Sequence, residues 1–500
     1  MTSSNETRSE GQDRRGWART VHRGAAVAAS FALGLGLVLM PSPARAAHPL
    51  SNAFCPSSGA AASDTCYGTG ALAGENGGQN NSAFGFDAMN ANTTGDENTA
   101  VGGFALTANT TGFFNTATGY GAVSTNTTGG DNTGTGLFAL FSNSIGNDNT
   151  ATGMDALFSE TASDNTATGF NVLLNSTSAS QNTADGSQAL KADTTGSDNL
   201  ADGFEALNAN TTASGGTAVG WEALLGNTTG SDNTGIGRVA LTANTTGSGN
   251  TAEGNGALFH NTSGNNNTAV GLNSLQNNST ASENAAFGDA ALRGNTTGTD
   301  NAALGAGALN AFPTGNDNTA SGFEALFGNG CVTCNGSGNT VAGFQALWSD
   351  DTGSNNTALG VNAGLTANSA NANTSGSGNT FIGFDSGPGT STQLTNATAL
   401  GANALVGESN ALVLGGTGSN AVSVGIGTTA PQSLLQVGQP SSSFGSYVQL
   451  PEVTSTAATP PTGDCNTSTF VGRIVVQYNV AKGVATLWAC SSSGTWKVAK

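Results

Sequence analysis

Two consecutive stretches decide the fold of this chain: NTAVGGFALTANTTGFF at residues 98–114 and NTATGYGAVSTNTTGGD at residues 115–131. Each is 17 residues long, opens with Asn-Thr-Ala-x-Gly and carries Asn-Thr-Thr-Gly near its end. Units of this length at a fixed spacing are typical of solenoid proteins, in which each unit buries its apolar face only by stacking on its neighbours. The period is therefore the primary evidence for the fold.

The glycine of Asn-Thr-Ala-x-Gly, called here the anchor glycine, marks this period along most of the chain. The spacing is 17 residues, with one of 16, over Gly85, Gly102, Gly119, Gly136, Gly153, Gly169, Gly186, Gly203, Gly220, Gly237, Gly254, Gly271, Gly288, Gly305 and Gly322. Gly343 and Gly360 keep the phase when Cys331 to Cys334 is counted as an insertion of four residues. The spacing then becomes irregular toward Gly425, so we expect the repeat array to occupy residues 77–425.

Small and apolar residues recur at fixed positions within each unit. The residue two before the anchor glycine is small, as in Ala100 and Gly134, while Ala105 and Leu106 represent alanine and leucine columns after it. These columns predict an all-β solenoid with two short strands in each coil and coils stacked at about 4.8 Å. A single helical turn at Phe-x-Ala-Leu is the local alternative. Asn-Thr-Thr-Gly and the following Asp-Asn are interpreted as turns, since Gly, Asn and Asp favour them.

At these residues a family resemblance becomes visible. Units such as Asn98 to Gly102 (NTAVG) and Asn267 to Gly271 (NTAVG) resemble the head repeats of trimeric autotransporter adhesins. The resemblance implies a left-handed parallel β-roll assembled as a trimer. The family's head repeats are typically shorter, and neither its coiled-coil stalk nor its four-stranded membrane anchor is recognisable here. Residues 424–437 instead resemble a connector found in bacterial surface proteins similar to phage tail fibres.

The amino-terminal 46 residues read as a secretory signal peptide. Basic residues including Arg14 and Arg23 precede an apolar run from Gly24 to Met40, and Ala44-Arg45-Ala46 is a small-x-small cleavage signature. The alternative is a retained membrane anchor, for which a run of about 17 residues is short. We expect a protein secreted from a bacterium or displayed on its cell surface.

Six cysteines follow the leader in three close pairs, which favours local disulfides in an oxidising compartment. The expected pairs are Cys55 with Cys66, Cys331 with Cys334, and Cys465 with Cys490. Cys331 and Cys334 could instead form half of a zinc site or a redox motif, but no second Cys or His pair accompanies them and no βαβ pattern surrounds them. The first pair would staple an N-terminal cap at residues 47–76.

The carboxyl-terminal region is predicted to form a separate unit. A connector at residues 426–461 leads to alternating apolar residues around Ile474 to Tyr478 and Val484 to Trp488, which predict a β-hairpin. We expect a small disulfide-stapled β-domain at residues 462–500. Trp488 and Trp496 are interpreted as its core, with a ligand platform as the alternative.

Composition excludes several classes of function. The chain has 13 Lys and Arg against 32 Asp and Glu, a formal net charge of −19, and a surface this acidic repels nucleic acid and anionic membranes. Only three histidines are present, of which His22 lies in the leader, leaving His48 and His260. We therefore expect no catalytic residue, cofactor or metal, and interpret the chain as a structural protein.

Ligand-binding alternatives nevertheless stay open. Threonines form two rows from Thr116-Ala117-Thr118 to Thr166-Ala167-Thr168, a pattern suited to ice, and the rows end at Asp185. A calcium ladder would use the aspartates that recur at one turn position: Asp131, Asp148, Asp164, Asp198, Asp232, Asp300 and Asp317. A glycan is the third such ligand.

The residues on either side of the anchor glycine predict association. In an extended strand they lie opposite the buried alanine, and both positions carry large apolar residues, such as Phe287 before the glycine and Trp221 after it. A single thin roll would expose such a stripe, so we expect a homo-oligomer, by resemblance a trimer, with its tightest contact around residues 204–344. The alternative is a wider solenoid that buries both positions. The function expected is that of an adhesin-like rod for adhesion, also to host or surface macromolecules, or for envelope or fibre assembly.

Overall fold

The computed structural model describes residues 63–416 except 330 and 332, and residues 421–426, 435–437, 452–455, 474–479, 484–491 and 495–498. The predicted leader at residues 1–46, His48, Cys55 and Cys465 lie outside these residues. The described residues form β-strands and turns, with one 3₁₀ turn at Ser369–Asn371. None of their helical structure is long and apolar enough to cross a membrane.

A parallel β-solenoid accounts for most of the described chain, and the prediction of an all-β solenoid with 17-residue coils is confirmed. Its main sheet has 21 parallel strands, each of three residues. These are β1 (Thr65–Tyr67), β2 (Ser82–Phe84), β3 (Thr99–Val101), β4 (Thr116–Thr118), β5 (Thr133–Thr135), β6 (Thr150–Thr152), β7 (Thr166–Thr168), β8 (Thr183–Asp185), β9 (Leu200–Asp202), β10 (Thr217–Val219), β11 (Thr234–Ile236), β12 (Thr251–Glu253), β13 (Thr268–Val270), β14 (Ala285–Phe287), β15 (Ala302–Leu304), β16 (Thr319–Ser321), β17 (Thr340–Ala342), β18 (Thr357–Leu359), β19 (Thr380–Ile382), β21 (Thr398–Leu400) and β23 (Leu412–Leu414). The ladder thus begins at β1, inside the segment predicted as a cap.

The remaining strands form three smaller sheets. Strands β20 (Gly387–Pro388) and β22 (Leu405–Val406) pair in parallel beside the last coils, and β24 (Val424–Ile426) pairs with β25 (Leu435–Val437). The third of these smaller sheets contains β26 (Glu452–Ser455), β27 (Ile474–Asn479), β28 (Val484–Cys490) and β29 (Trp496–Val498). Strands β27 and β28 are antiparallel, as the alternating apolar pattern predicts.

Strands of successive coils pair without any shift in register. Ala100 of β3 is opposite Ala117 of β4, which is opposite Gly134 of β5. These central residues are fully buried, while their neighbours on either side are more exposed. The small-residue column is therefore the inner face of the sheet. The small size of these side chains allows the opposite wall of the coil to approach closely.

The second half of each coil differs from the prediction. The coils from β1 to β18 have one strand each, whereas β20 and β22 are second short strands in the last coils. In the earlier coils the Phe-x-Ala-Leu segment is neither a second strand nor a helical turn. Ala105 and Leu106 are adjacent and both fully buried, which an extended strand with alternating side chains does not allow. Phe104 and Leu106 instead adopt left-handed conformations, with φ of 61° and 50°. The backbone curls inward there, and the Leu106 N–H still donates to Ala122 O of the next coil, at 3.1 Å.

The anchor glycines are required by both conformation and space. Gly102 has a φ of 134°, a region that residues with side chains rarely adopt. A Cβ atom at this position would overlap the carbonyl group of Gly119 in the next coil. Contact between successive backbones therefore fixes glycine at the end of each strand.

A column of buried asparagines precedes the strands, and we call it the entry ladder. Each member bonds to the coils on both sides: the Asn98 backbone N–H donates to Asn81 Oδ1 at 3.0 Å, and Asn98 Nδ2 donates to Gly112 O at 2.8 Å. Its asparagines are Asn81, Asn98, Asn115, Asn132, Asn149, Asn165, Asn182, Asn199, Asn233, Asn250, Asn267, Asn284, Asn301, Asn318, Asn339, Asn356 and Asn379, all nearly inaccessible. Buried amides of this kind need partners, and only in-register coils supply them.

A second buried column, called here the turn ladder, comes from Asn-Thr-Thr-Gly. Asn109 Nδ2 donates to Asn92 Oδ1 of the preceding coil at 2.8 Å and to Gly112 O in its own turn at 3.0 Å. The sequence interpretation as a local turn is therefore correct only in part, since the same amide also joins two coils. Acidic residues replace asparagine at four places, namely Glu75, Glu160, Asp193 and Asp350, and the last three are fully buried.

Asp350 is an isolated buried acid with both oxygens hydrogen-bonded. Oδ1 accepts from Gly353 N at 3.0 Å and Oδ2 accepts from Asn356 Nδ2 at 3.4 Å. Burial nevertheless dominates and raises the pKa of Asp350 to about 8. Because this folded-state pKa lies above the ordinary value, the protonated carboxyl contributes stability at acidic pH that is lost as the pH rises toward 8.

Asp350→Asn is expected to remove this pH dependence, because asparagine is the usual residue of the turn ladder. At pH 9 the variant should be more stable than the parent by on the order of a few kcal/mol, and near pH 4 the difference should vanish. Denaturant unfolding at both pH values measures it. Asp300→Asn is the matched control, since Asp300 is exposed and its left-handed turn accepts asparagine. Equal pH profiles for the parent and Asp350→Asn would contradict the prediction.

Candidate interaction surface

The outer face of the strand ladder presents the side chains most available for binding. In each strand the first and third residues are more exposed than the central one, and the residue after the anchor glycine is also exposed in most coils. Three parallel columns of side chains therefore run along the solenoid: the first strand position, the third strand position and the position after the glycine. We call these columns the outer face.

Two of the three columns are rich in large apolar residues, and together they form what we call the apolar stripe. Its exposed members before the glycine are Phe84, Val101, Ile236, Phe287, Leu304, Leu359, Leu400 and Leu414. Those after the glycine are Phe86, Tyr120, Leu137, Met154, Phe170, Phe204, Trp221, Leu272, Phe323, Phe344, Val361 and Phe384. The alternative of a wider solenoid that buries both columns is therefore excluded for the described coils.

The apolar stripe extends farther toward the amino terminus than the sequence suggested. Thr118 to Asp202 make the third strand position polar in the early coils, outside the contact region expected around residues 204–344, but Tyr120 and Phe170 keep the column after the glycine apolar there. Tyr120 also belongs to a run of edge-on aromatic contacts through Phe104 and Phe138, with ring centroids 5.5 and 5.7 Å apart. The more polar character of the early coils is thus confined to one column.

Aromatic rings of adjacent coils also stack within the stripe. Phe204 and Trp221 are nearly parallel with centroids 6.3 Å apart, and the Arg238 guanidinium lies 4.7 Å from the Trp221 ring centroid. Phe323 and Phe344 stack at 5.4 Å. Such contacts hold the exposed rings in fixed orientations and so reduce the entropy that a binding partner would have to remove.

An apolar hollow of about 450 Å³ interrupts the outer face at β14 to β16. It exists because Ala285 and Ala302 replace the threonine found at the first strand position in most coils. Phe287 and Leu304 form its wall, and Leu304 is 59% exposed. The outer face therefore carries a hollow and a protruding apolar side chain next to each other.

Threonines form a regular array on β4 to β7. Thr116, Thr133, Thr150 and Thr166 are paired in register, as are Thr118, Thr135, Thr152 and Thr168. Seven of the eight side chains are exposed, and Thr133 is half-buried. The array has rungs about 4.8 Å apart and rows roughly 6.7 Å apart, set by strand geometry.

The other candidate residues are less organised. The seven aspartates considered for calcium are all exposed at left-handed turn positions, which fits their interpretation as turn formers. His260 is also exposed and contacts Phe259 edge-on, with ring centroids 4.6 Å apart. Trp488 and Trp496 are half-buried in the carboxyl-terminal sheet.

The inserted cysteines lie against the core of the solenoid. Cys331 and Cys334 form a disulfide with Cα atoms 5.7 Å apart, and Cys334 is fully buried. Asp351 is close to both sulfur atoms, but the disulfide removes the thiolates that zinc would need. Cys66 is also disulfide-bonded, whereas Cys55, Cys465 and the side chain of Cys490 are outside what the structure describes.

Sequence reasoning missed the buried polar residues of the two ladders. Their signal was the strict recurrence of asparagine at two positions per coil, where ordinary turns exchange Asn, Asp, Ser and Gly freely. Sequence reasoning also did not identify Glu160 and Asp193 as buried, because acidic residues at a presumed turn suggest exposure.

Comparison with known proteins gives no assignment. No family model, curated protein or solved structure matches this chain.

Proposed function

We propose that this protein is an adhesin-like structural repeat protein of the bacterial cell exterior, whose solenoid associates with copies of itself along the apolar stripe. The observation that carries the proposal is the apolar stripe, two adjacent columns of exposed large side chains that run through most coils. The assembled rods then present their remaining surface for adhesion or for envelope or fibre assembly.

Self-association is supported by the size and shape of the stripe. Polar residues interrupt the stripe at two coils, namely Asp185 with Ser187 and Glu253 with Asn255. Monomeric soluble proteins nevertheless rarely expose so many aligned apolar side chains, because their contact with water is unfavourable. The hollow beside Ala285 and Ala302 and the protruding Leu304 offer complementary features to a second copy. A trimer is the assembly that the resemblance to autotransporter heads favours.

An exterior location is supported by the leader-like residues 1–46 and by the disulfides. The net charge of −19 disfavours nucleic acid and anionic membranes as partners.

Light scattering on the purified chain tests self-association. At micromolar concentration we expect a mass of about three chains for the parent. The variant Ile236→Thr/Phe287→Thr/Leu304→Thr should be a monomer that still folds, because the three replaced side chains are exposed. Thr118→Ser/Thr135→Ser/Thr152→Ser, in the same column of the early coils, should leave the mass unchanged. A monodisperse monomer for the parent would overturn the proposal.

Ice binding is a second candidate, favoured by the threonine array. Its hydroxyl and methyl groups repeat in two dimensions on a sheet that the buried ladders hold rigid, and such a surface can order water in a matching lattice. This function would use only β4 to β7, so it is compatible with self-association elsewhere.

Thermal hysteresis measures this candidate directly. We expect the parent to lower the freezing point below the melting point, and Thr135→Lys/Thr152→Lys to abolish the gap by placing long charged side chains in the array. Thr340→Lys lies in the first strand position of β17, outside the array, and should retain the activity. No hysteresis in the parent would eliminate ice as a ligand.

A further inference from the structure

Three successive rungs of the turn ladder lack asparagine, and they lie inside the solenoid. Glu160, Ser176 and Asp193 occupy these rungs, and none of the three is accessible to solvent. Asparagine supplies both a donor and an acceptor at this position, whereas an ionised carboxylate supplies only acceptors. The ladder therefore loses its amide donors over three consecutive coils, and Ser176 retains only a hydroxyl donor.

Each of the three side chains has a buried oxygen without a hydrogen-bond partner. These atoms are Glu160 Oε2, Ser176 Oγ and Asp193 Oδ2. The other carboxylate oxygens are used locally: Glu160 Oε1 accepts from Thr161 N at 2.9 Å, and Asp193 Oδ1 accepts from Gly196 N at 3.0 Å. Buried polar atoms are normally satisfied, so the two orphaned carboxylate oxygens on either side of Ser176 indicate a missing electropositive partner.

The three groups are close enough to influence one another. Burial raises the pKa of Glu160, and the neighbouring Ser176 hydroxyl lowers it. Burial, together with the charge of Glu160, raises the pKa of Asp193 to about 7. Two acids thus lie on either side of a short serine side chain, in an interior that penalises their negative charge.

The serine rung also has a shorter side chain and a nearby carbonyl oxygen with one donor fewer. Replacement of the usual asparagine by Ser176 shortens the side chain and removes an amide. In ordinary coils, the backbone carbonyl three residues after the turn-ladder asparagine accepts hydrogen bonds from two side-chain amides. Gly112 O, for example, accepts from Asn98 Nδ2 and Asn109 Nδ2. The equivalent Ala179 O receives only Asn165 Nδ2, at 2.8 Å.

We propose that Glu160, Ser176 and Asp193, with Ala179 O, bind a divalent cation of the calcium type inside the solenoid. Carboxylate, hydroxyl and carbonyl oxygens are the ligands that hard cations prefer, and two carboxylates neutralise one divalent charge. Glu160 and Asp193 each lie one rung, about 4.8 Å, from Ser176, so their carboxylates would bind an ion at the level of the serine. The ion replaces the missing amide donors and ties three coils together.

Asp350 provides an internal comparison. It is an equally buried acid in the same ladder, but both its carboxylate oxygens accept hydrogen bonds, so it needs no cation. A buried acid alone therefore does not create the site; the combination of two acids with the serine gap does.

The test is the midpoint of thermal unfolding of the purified full chain at pH 8, refolded either with CaCl₂ or with EDTA. We expect CaCl₂ to raise the midpoint by at least about 3 °C in the parent, and elemental analysis after dialysis to find about one Ca²⁺ per chain. Glu160→Asn/Ser176→Asn/Asp193→Asn, which restores the asparagine ladder, should lose both effects. Asp350→Asn should keep both.

Two outcomes overturn the proposal. One is a parent whose unfolding midpoint is the same in CaCl₂ and EDTA. The other is an equal calcium effect in the parent and the restored-ladder variant, which would assign the effect to exposed aspartates. If the triple variant does not fold, Glu160→Gln replaces it, since it removes one charge and preserves the side-chain length; an unchanged calcium effect in that variant also overturns the site.

Discussion

The buried asparagine side chains set the register on which the rest of the structure depends. An amide such as that of Asn267 reaches Asn250 Oδ1 in one neighbouring coil and Ala281 O in another, so it is satisfied only if the coils are aligned. A slip of one residue would bury these amides without partners, at a cost of about 1–3 kcal/mol for each group. Repeated in coil after coil, this penalty enforces the 17-residue period.

This interior also determines the surface. Alanine, leucine and asparagine columns fill most of the narrow coil, and larger side chains are buried at few positions, such as Phe312 and Phe381. Phenylalanine, tryptophan and isoleucine beside the anchor glycines therefore project outward, where parallel pairing aligns them into the apolar stripe. The same alignment produces the threonine array on β4 to β7 and, inside, places Glu160 and Asp193 on either side of Ser176. One register thus creates every candidate interaction surface.

The period, the strand at Thr-Ala-x and the small inner column could be predicted from sequence, since each follows from strict recurrence. Two features could not. Ala105 and Leu106 are both buried because left-handed backbone turns them inward, and sequence patterns based on strands or helices do not include that conformation. Buried asparagine was also hidden, because its composition matches an exposed turn and only the neighbouring coil distinguishes the two. Which columns face water likewise required the folded coil.

A matched pair of variants tests the central role of the asparagine ladders most directly. Asn267 is buried in the entry ladder, and its Oδ1 accepts hydrogen bonds from Asn284 N at 3.1 Å and from Asn284 Nδ2 at 3.2 Å. Asn265, two residues earlier, is exposed. The free energy of unfolding, measured with denaturant, should fall by at least about 2 kcal/mol for Asn267→Ala and by under about 1 kcal/mol for Asn265→Ala. Equal losses in the two variants would contradict the account.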